Sequence, residues 1–126
     1  MATPRPDHAH AQFRLRITRG NDIAVGPGKV DLLEAIAATG SITAAAKRLS
    51  TSYRRAWLLV DTMNRCFRAP VVAAEAGGTR GGGAALTPLG AEVVRRYRLV
   101  ETLAAKAAAK ELAALAFLLR TEGSDP

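Results

Sequence analysis

Two short helical patterns joined by a polar turn constrain this chain more than any other feature. Gly40-Ser41-Ile42-Thr43-Ala44-Ala45-Ala46-Lys47-Arg48-Leu49 places Ile42, Ala45, Ala46 and Leu49 at helical spacing. After Ser50-Thr51, the run Ser52-Tyr53-Arg54-Arg55-Ala56-Trp57 opens a second helix with hydroxyls and guanidiniums. The alanines leave the first helix small-faced, so the second can cross it closely. The layout predicts a helix-turn-helix, whose second helix presents donors from its first turn.

The flanking sequence extends the pattern. Residues 1–11 carry no period and read as a flexible arm, with too few ligands around His8 and His10 for a metal site. Phe13, Leu15 and Ile17 alternate with polar residues and predict a half-buried strand, followed by a turn at Gly20-Asn21-Asp22. A helix is expected from about Lys29 to Ala38, with Val30, Leu33 and Ala37 on its inner face and Gly40 as a left-handed cap. The helix opened by Ser52 continues to about Arg68, with Ala56, Val60, Met63 and Phe67 as its buried stripe and Pro70 as its stop. Val71–Glu75 and Ala84–Leu86 read as two strands around a glycine-rich tip holding Arg80. Thr87-Pro88 starts a last helix with no breaker before Gly123, long enough to reach on the order of 50 Å. Leu103, Ala107, Leu112, Leu115 and Leu119 would lie wet on a solitary helix, so a partner helix from a second copy is expected.

The predicted fold is therefore mainly α with a small β wing. A flexible arm (1–11) precedes a winged helix-turn-helix (12–87), a long dimerisation helix (88–120) and a flexible tail (121–126).

Charge points to a polyanion partner. The chain carries a formal charge of +7. Ten of its eighteen Lys and Arg, but only three of its eleven acids, lie between Ser41 and Arg98. The remaining eight of each sign cancel, so the whole excess coincides with the helix-turn-helix and wing. Cys66 is the single cysteine, and neither a membrane span nor a signal core is visible, which suits a cytoplasmic chain. No paired carboxylates, metal spacing or nucleophile–base arrangement suggests an enzyme. The glycine loop lacks the Lys-Ser/Thr ending of a phosphate-binding P-loop.

The candidate DNA-binding residues are Ser41, Thr43, Lys47, Thr51, Ser52, Tyr53, Arg54, Arg55, Arg65 and Arg80. Ser52 to Arg55 sit where base edges and phosphates would be met, although hydroxyls here also suit plain capping. The same two readings apply to Ser41 and Thr43, at a helix start able to receive a backbone phosphate. Arg80 stands where a wing meets the minor groove or a phosphate. Arg65 and Arg68 either neutralise phosphate or complement a helix C-terminus. Trp57 reads as packing, Cys66 as a buried structural thiol, and Arg95, Arg96 and Arg98 as a solvated helix face.

GKVDLLEAIAATGSITAAAKRLSTSYRRAWLLVDTMNR, followed by PVVAAEAGGTRGGGAALTPLG, resembles the N-terminal domain of ModE-type molybdenum-dependent transcriptional regulators over about residues 13–100. GSITAAAKRL and LTPLG also resemble the more distant LysR-type regulators. The resemblance implies a winged-helix homodimer on double-stranded, palindromic operator DNA. Family members also carry small β-barrel molybdate-binding domains, and nothing in 101–126 looks like β structure. Binding of molybdate or another oxyanion cofactor is accordingly not expected from the sequence. Two further expectations stay open: an adaptor that pairs with a full-length regulator, and a sequence-neutral architectural DNA binder.

Overall fold

The computed structural model describes residues 10–75 and 82–120. Two antiparallel hairpins and five helices follow one another among them: β1 (Ile17–Arg19), β2 (Asp22–Val25), α1 (Pro27–Thr39), α2 (Ile42–Arg48), α3 (Tyr53–Cys66), β3 (Val72–Glu75), β4 (Gly83–Leu86), α4 (Pro88–Ala107) and α5 (Ala109–Phe117). The described chain is mostly helical, and this order is compatible with a winged helix. Its contacts fall into two units. One is Arg14–Arg98. The other holds the residues from Leu99 on, together with Phe13 and the described residues before it.

In the Arg14–Arg98 unit, α1 starts at Pro27, whose missing N–H is no loss at a helix start. It ends at Gly40, where a φ of 82° lets the Gly40 N–H close onto the Ile36 carbonyl. The buried face of α1 is wider than the spacing suggested. Val30, Leu32, Leu33, Ala35 and Ile36 are buried, whereas Ala37 is exposed. All of these buried residues but Val30 form the main core with Ala45 and Ala46 of α2, Ala56, Val60 and Met63 of α3, and Val71, Val72 and Ala84 at the second hairpin. The expected α3 stripe thus lies inward, with Phe67 packed at its edge. Leu49 does not: as the residue after α2 it is 37% exposed, because the chain has already left the helical face.

The turn between α2 and α3 is closed by its own backbone. Ser50 N–H donates to Lys47 O and Thr51 N–H to Ala46 O, a paired termination that forces Ser50 to a φ of 57°. Ser52 then caps α3 by accepting the Arg55 N–H.

The second hairpin pairs Val72 with Leu86 through Glu75 with Gly83. Each outer edge is tied to a neighbouring element. Ala84 N–H donates to Gly40 O at 2.9 Å. On the other side, the Asn64 side chain of α3 accepts the Val71 and Val72 N–H groups and donates to Val72 O. Thr87 caps α4 by accepting the Gly90 N–H, while its own hydroxyl donates to Pro70 O.

The N-terminal strand differs from expectation. β1 is confined to Ile17–Arg19, and its residues are exposed. Asp22, expected in the turn, instead opens the partner strand Asp22–Val25, with Ala24 and Val25 buried. Leu15 is half-buried beside a second small cluster of Val25, Val30 and Tyr97, and the Tyr97 hydroxyl donates to Leu15 O at 2.8 Å.

The last helix is not one uninterrupted rod. α4 ends at Ala107 and α5 begins at Ala109, because Ala108 adopts φ −98° and ψ 5° between them. No residue of α5 is buried. Among the described residues no helix is long and apolar enough to cross a membrane.

Candidate nucleic-acid interface

The predicted polar residues fall on two neighbouring helix starts and the turn between them. Ser41 precedes α2, and its hydroxyl oxygen accepts the Ala44 N–H at 3.0 Å. Thr43 and Lys47 are exposed on α2, and Thr51 is half-buried in the turn. Ser52, Tyr53, Arg54 and Arg55 are exposed at the start of α3. Capping therefore accounts for the hydroxyl oxygens of Ser41 and Ser52, while neither Arg54 nor Arg55 has an ion-pair partner among the described residues. Successive helical side chains diverge by about 100°, so Arg54 and Arg55 point to different parts of any ligand.

Arg65 is held differently. Its guanidinium meets Asp61 at 3.1 Å and Asp22 at 3.7 Å. The hydrogen bond to Asp61, reinforced by that carboxylate's charge, pushes its pKa upward. The structure thus separates it from the group at the start of α3. Arg80 lies outside the described residues.

Trp57 was expected to be a packing residue, yet it is 46% exposed. It faces outward because α3 turns only its Ala56–Val60–Met63 stripe to the core. With Tyr53, Ile42 and Thr43 it lines a concavity of about 700 Å³ between the two helix starts and the second hairpin. Cys66 is half-buried rather than buried, at the last turn of α3. Arg98 is not a free surface charge, since it binds Asp31 at 3.0 Å and also pairs with Glu34.

Asn64 is the important residue that the sequence did not single out. Its amide sits where a neighbouring strand would and fixes α3 to β3. Its position on the polar flank of α3 gives no periodic signal. Among the described residues no group of three His, Cys, Asp or Glu could hold a metal ion.

A basic helical domain with an exposed pair of helix starts beside a small hairpin defines a candidate nucleic-acid-binding class. The comparisons are more particular. The chain is 48% identical over 82 residues to the molybdenum-pterin-binding protein MopB of Rhodobacter capsulatus, covering 65% of this chain and 30% of that protein. It is 41% identical over 92 residues to the molybdenum transport protein ModE of Azotobacter vinelandii, covering 71% and 34% respectively. The DNA-binding transcriptional dual regulator ModE of Escherichia coli K12 is 33% identical over 97 residues, covering 77% and 37%. No family model matches the chain.

The resemblance to ModE-type regulators is thereby borne out, and the matched region is consistent with a ModE-type N-terminal domain. The chain spans about a third of the length of these curated relatives. They are named as regulators, a transport protein and molybdenum-binding proteins, which suggests a non-enzyme. The name of MopB pulls against the expectation of no cofactor.

Proposed function

We propose that this chain is the DNA-binding part of a ModE-type transcriptional regulator acting in the cytoplasm. In this reading α2, the Ser50–Thr51 turn and α3 form a helix-turn-helix, and α3 enters the major groove. The β3–β4 hairpin is the wing that meets the adjacent backbone or minor groove, and Arg80, between its strands in the sequence, is proposed to contribute to that contact. The observation that carries the reading is the exposed Arg54–Arg55 pair, without an ion-pair partner among the described residues, on a helix start that Ala45, Ala46 and Ala56 hold against α2. Arg is suited to bidentate contact with guanine and to phosphate. Leu103, Leu115 and Phe117, each more than half exposed, support homodimerisation through the C-terminal helices and hence a palindromic operator.

The test is recovery and sequencing of genomic fragments bound by the purified chain, followed by affinity measurements on the recovered duplex and on random DNA. A marked preference that Arg55→Ala relaxes supports the reading. An affinity ratio near one favours a sequence-neutral architectural binder. The same apolar residues also suit pairing with a full-length regulator, and a chain that is monomeric and inactive alone favours that adaptor role. The name of the MopB relative motivates a second reading, a contribution to molybdenum-pterin binding. Thermal stabilisation by that ligand would favour it.

A further inference from the structure

A second concavity, about 230 Å³, lies away from the Trp57 groove. Arg14 and Arg16 of the N-terminal segment, Lys29 of α1 and Arg55 of α3 all contribute to its wall, and among the described residues no carboxylate does. These residues come from three separate stretches of sequence, so no local pattern brings them together. None of the four has an ion-pair partner among the described residues.

The packing around the cavity is specific. Gly26 has an extended backbone that any residue could adopt, so its lack of a side chain matters for space. A Cβ there would stand 3.2 Å from Cγ of Arg16. The Arg16 stem therefore lies across Gly26, the residue just before α1, and its charged end has no ion-pair partner among the described residues. Lys29 is partly withdrawn from water, and this burial is the main cause of its lowered pKa, with the Arg55 charge acting in the same direction. Cys66 and Asp22 act in the opposite direction. Asp22 lies outside the wall and is within reach of Arg65. Gathering four cations around one small space is unfavourable unless an anion enters it. Gly26 supplies no capping side chain and the first turn of α1 has no acid, so among the described residues no carboxylate of the wall fills that role.

We infer that this cavity seats a phosphate-type oxyanion, supplied by a DNA backbone phosphodiester beside the bases read by α3. The source of the phosphate rests on the DNA-binding reading above, whereas the seat itself rests on the cavity. Arg55 joins the two, since it belongs to both the α3 start and the cavity wall. The N-terminal segment thereby becomes a second backbone clamp, on a different part of the domain from the β3–β4 hairpin.

The experiment compares the full chain with an Arg16→Gln/Lys29→Gln double variant, which keeps aliphatic stems and removes two charges. An Arg14→Gln variant provides an independent check should the double variant fold poorly. Binding to operator and random duplexes is followed by anisotropy over a salt series. The expected result is an equal loss on both DNAs, roughly tenfold, with the log–log salt slope shallower by about 1 and the operator-to-random ratio retained. A folded variant with unchanged affinity and slope overturns the seat while leaving the DNA-binding reading intact. If the unmodified chain binds no DNA, that reading fails, and inorganic phosphate at constant ionic strength tests the seat alone. A rise in melting temperature in the unmodified chain that is absent from the variant supports a free-oxyanion seat; equal shifts overturn it.

Discussion

Gly90→Ala puts the junction between α4 and the second hairpin to a quantitative test. An added Cβ would stand 2.1 Å from the Val71 carbonyl oxygen, 2.9 Å from its carbon and 3.2 Å from Cα. All three are backbone atoms, so no side-chain rotation can relieve the contact. Ordinary van der Waals separation requires a displacement on the order of 1 Å, in a core with little free space. The Val71 oxygen also accepts the Thr87 N–H at 3.0 Å, and the Thr87 hydroxyl donates to Pro70 O at 2.7 Å. Retreat of α4 therefore strains both bonds. Overpacking costs about 1–3 kcal/mol and each of the two strained hydrogen bonds about 1 kcal/mol, while alanine returns up to roughly 1 kcal/mol of helix propensity. The expected net loss is about 2–4 kcal/mol, or on the order of 10 °C in melting temperature. Urea unfolding followed by circular dichroism should show a lower midpoint with an unchanged slope. A variant within about 0.5 kcal/mol of the parent, or more stable, would refute this account of Gly90, because helix propensity would then outweigh the contact.

Ser50→Gly should stabilise the α2–α3 turn by about 0.5–1 kcal/mol, since φ at Ser50 is 57° and glycine adopts this region without a Cβ clash; an unchanged or lower melting temperature contradicts that. Asn64→Ala should cost about 2–3 kcal/mol by orphaning the N–H groups of Val71 and Val72. Asn64→Asp, which keeps the acceptor, should cost less, and the reverse order in denaturant titrations would show that the amide is not acting as a surrogate strand. Glu34 has its pKa lowered below 4.5, first by the hydrogen bond from Arg98. Its contribution is therefore present above that ordinary value and lost as pH falls through the lower folded one. Glu34→Gln should cost a few tenths to about 1 kcal/mol at neutral pH, because the pair is solvent-screened, and the difference should vanish in acid. A difference that persists in acid would assign the effect to packing.

Local chemistry was readable where it lay close in sequence. Gly40 as a left-handed cap, Ser41, Ser52 and Thr87 as helix caps, and the α3 stripe all depend on neighbours within one or two turns. What escaped depends on partners brought from elsewhere. The Phe13–Ile17 alternation suggested a strand, but pairing with Asp22–Val25 selected only Ile17–Arg19. Asn64 finds its partners seven and eight residues on, across the chain reversal at Pro70. Trp57 sits one position off the buried stripe, and adjacency in sequence rotates a side chain about 100° away from that stripe. Neither the composition of α4–α5 nor its spacing marks Ala108 as the interruption. In the candidate interface, the clustering of Ser52–Arg55 was legible, whereas the convergence of Arg14, Arg16 and Lys29 on Arg55 required the fold.

The two outer edges of the β3–β4 hairpin are tied to different helices, one through the Gly40 carbonyl at the end of α1 and the other through Asn64 of α3. On the proposed reading, this bracing makes the domain a caliper. The interval between α3 and the base of the hairpin is fixed by protein bonds before any duplex arrives. A DNA sequence that naturally presents its groove and flanking backbone at that interval binds without deformation, and one that does not must bend or twist to fit. Base pairs that no side chain touches would then influence affinity through stiffness alone.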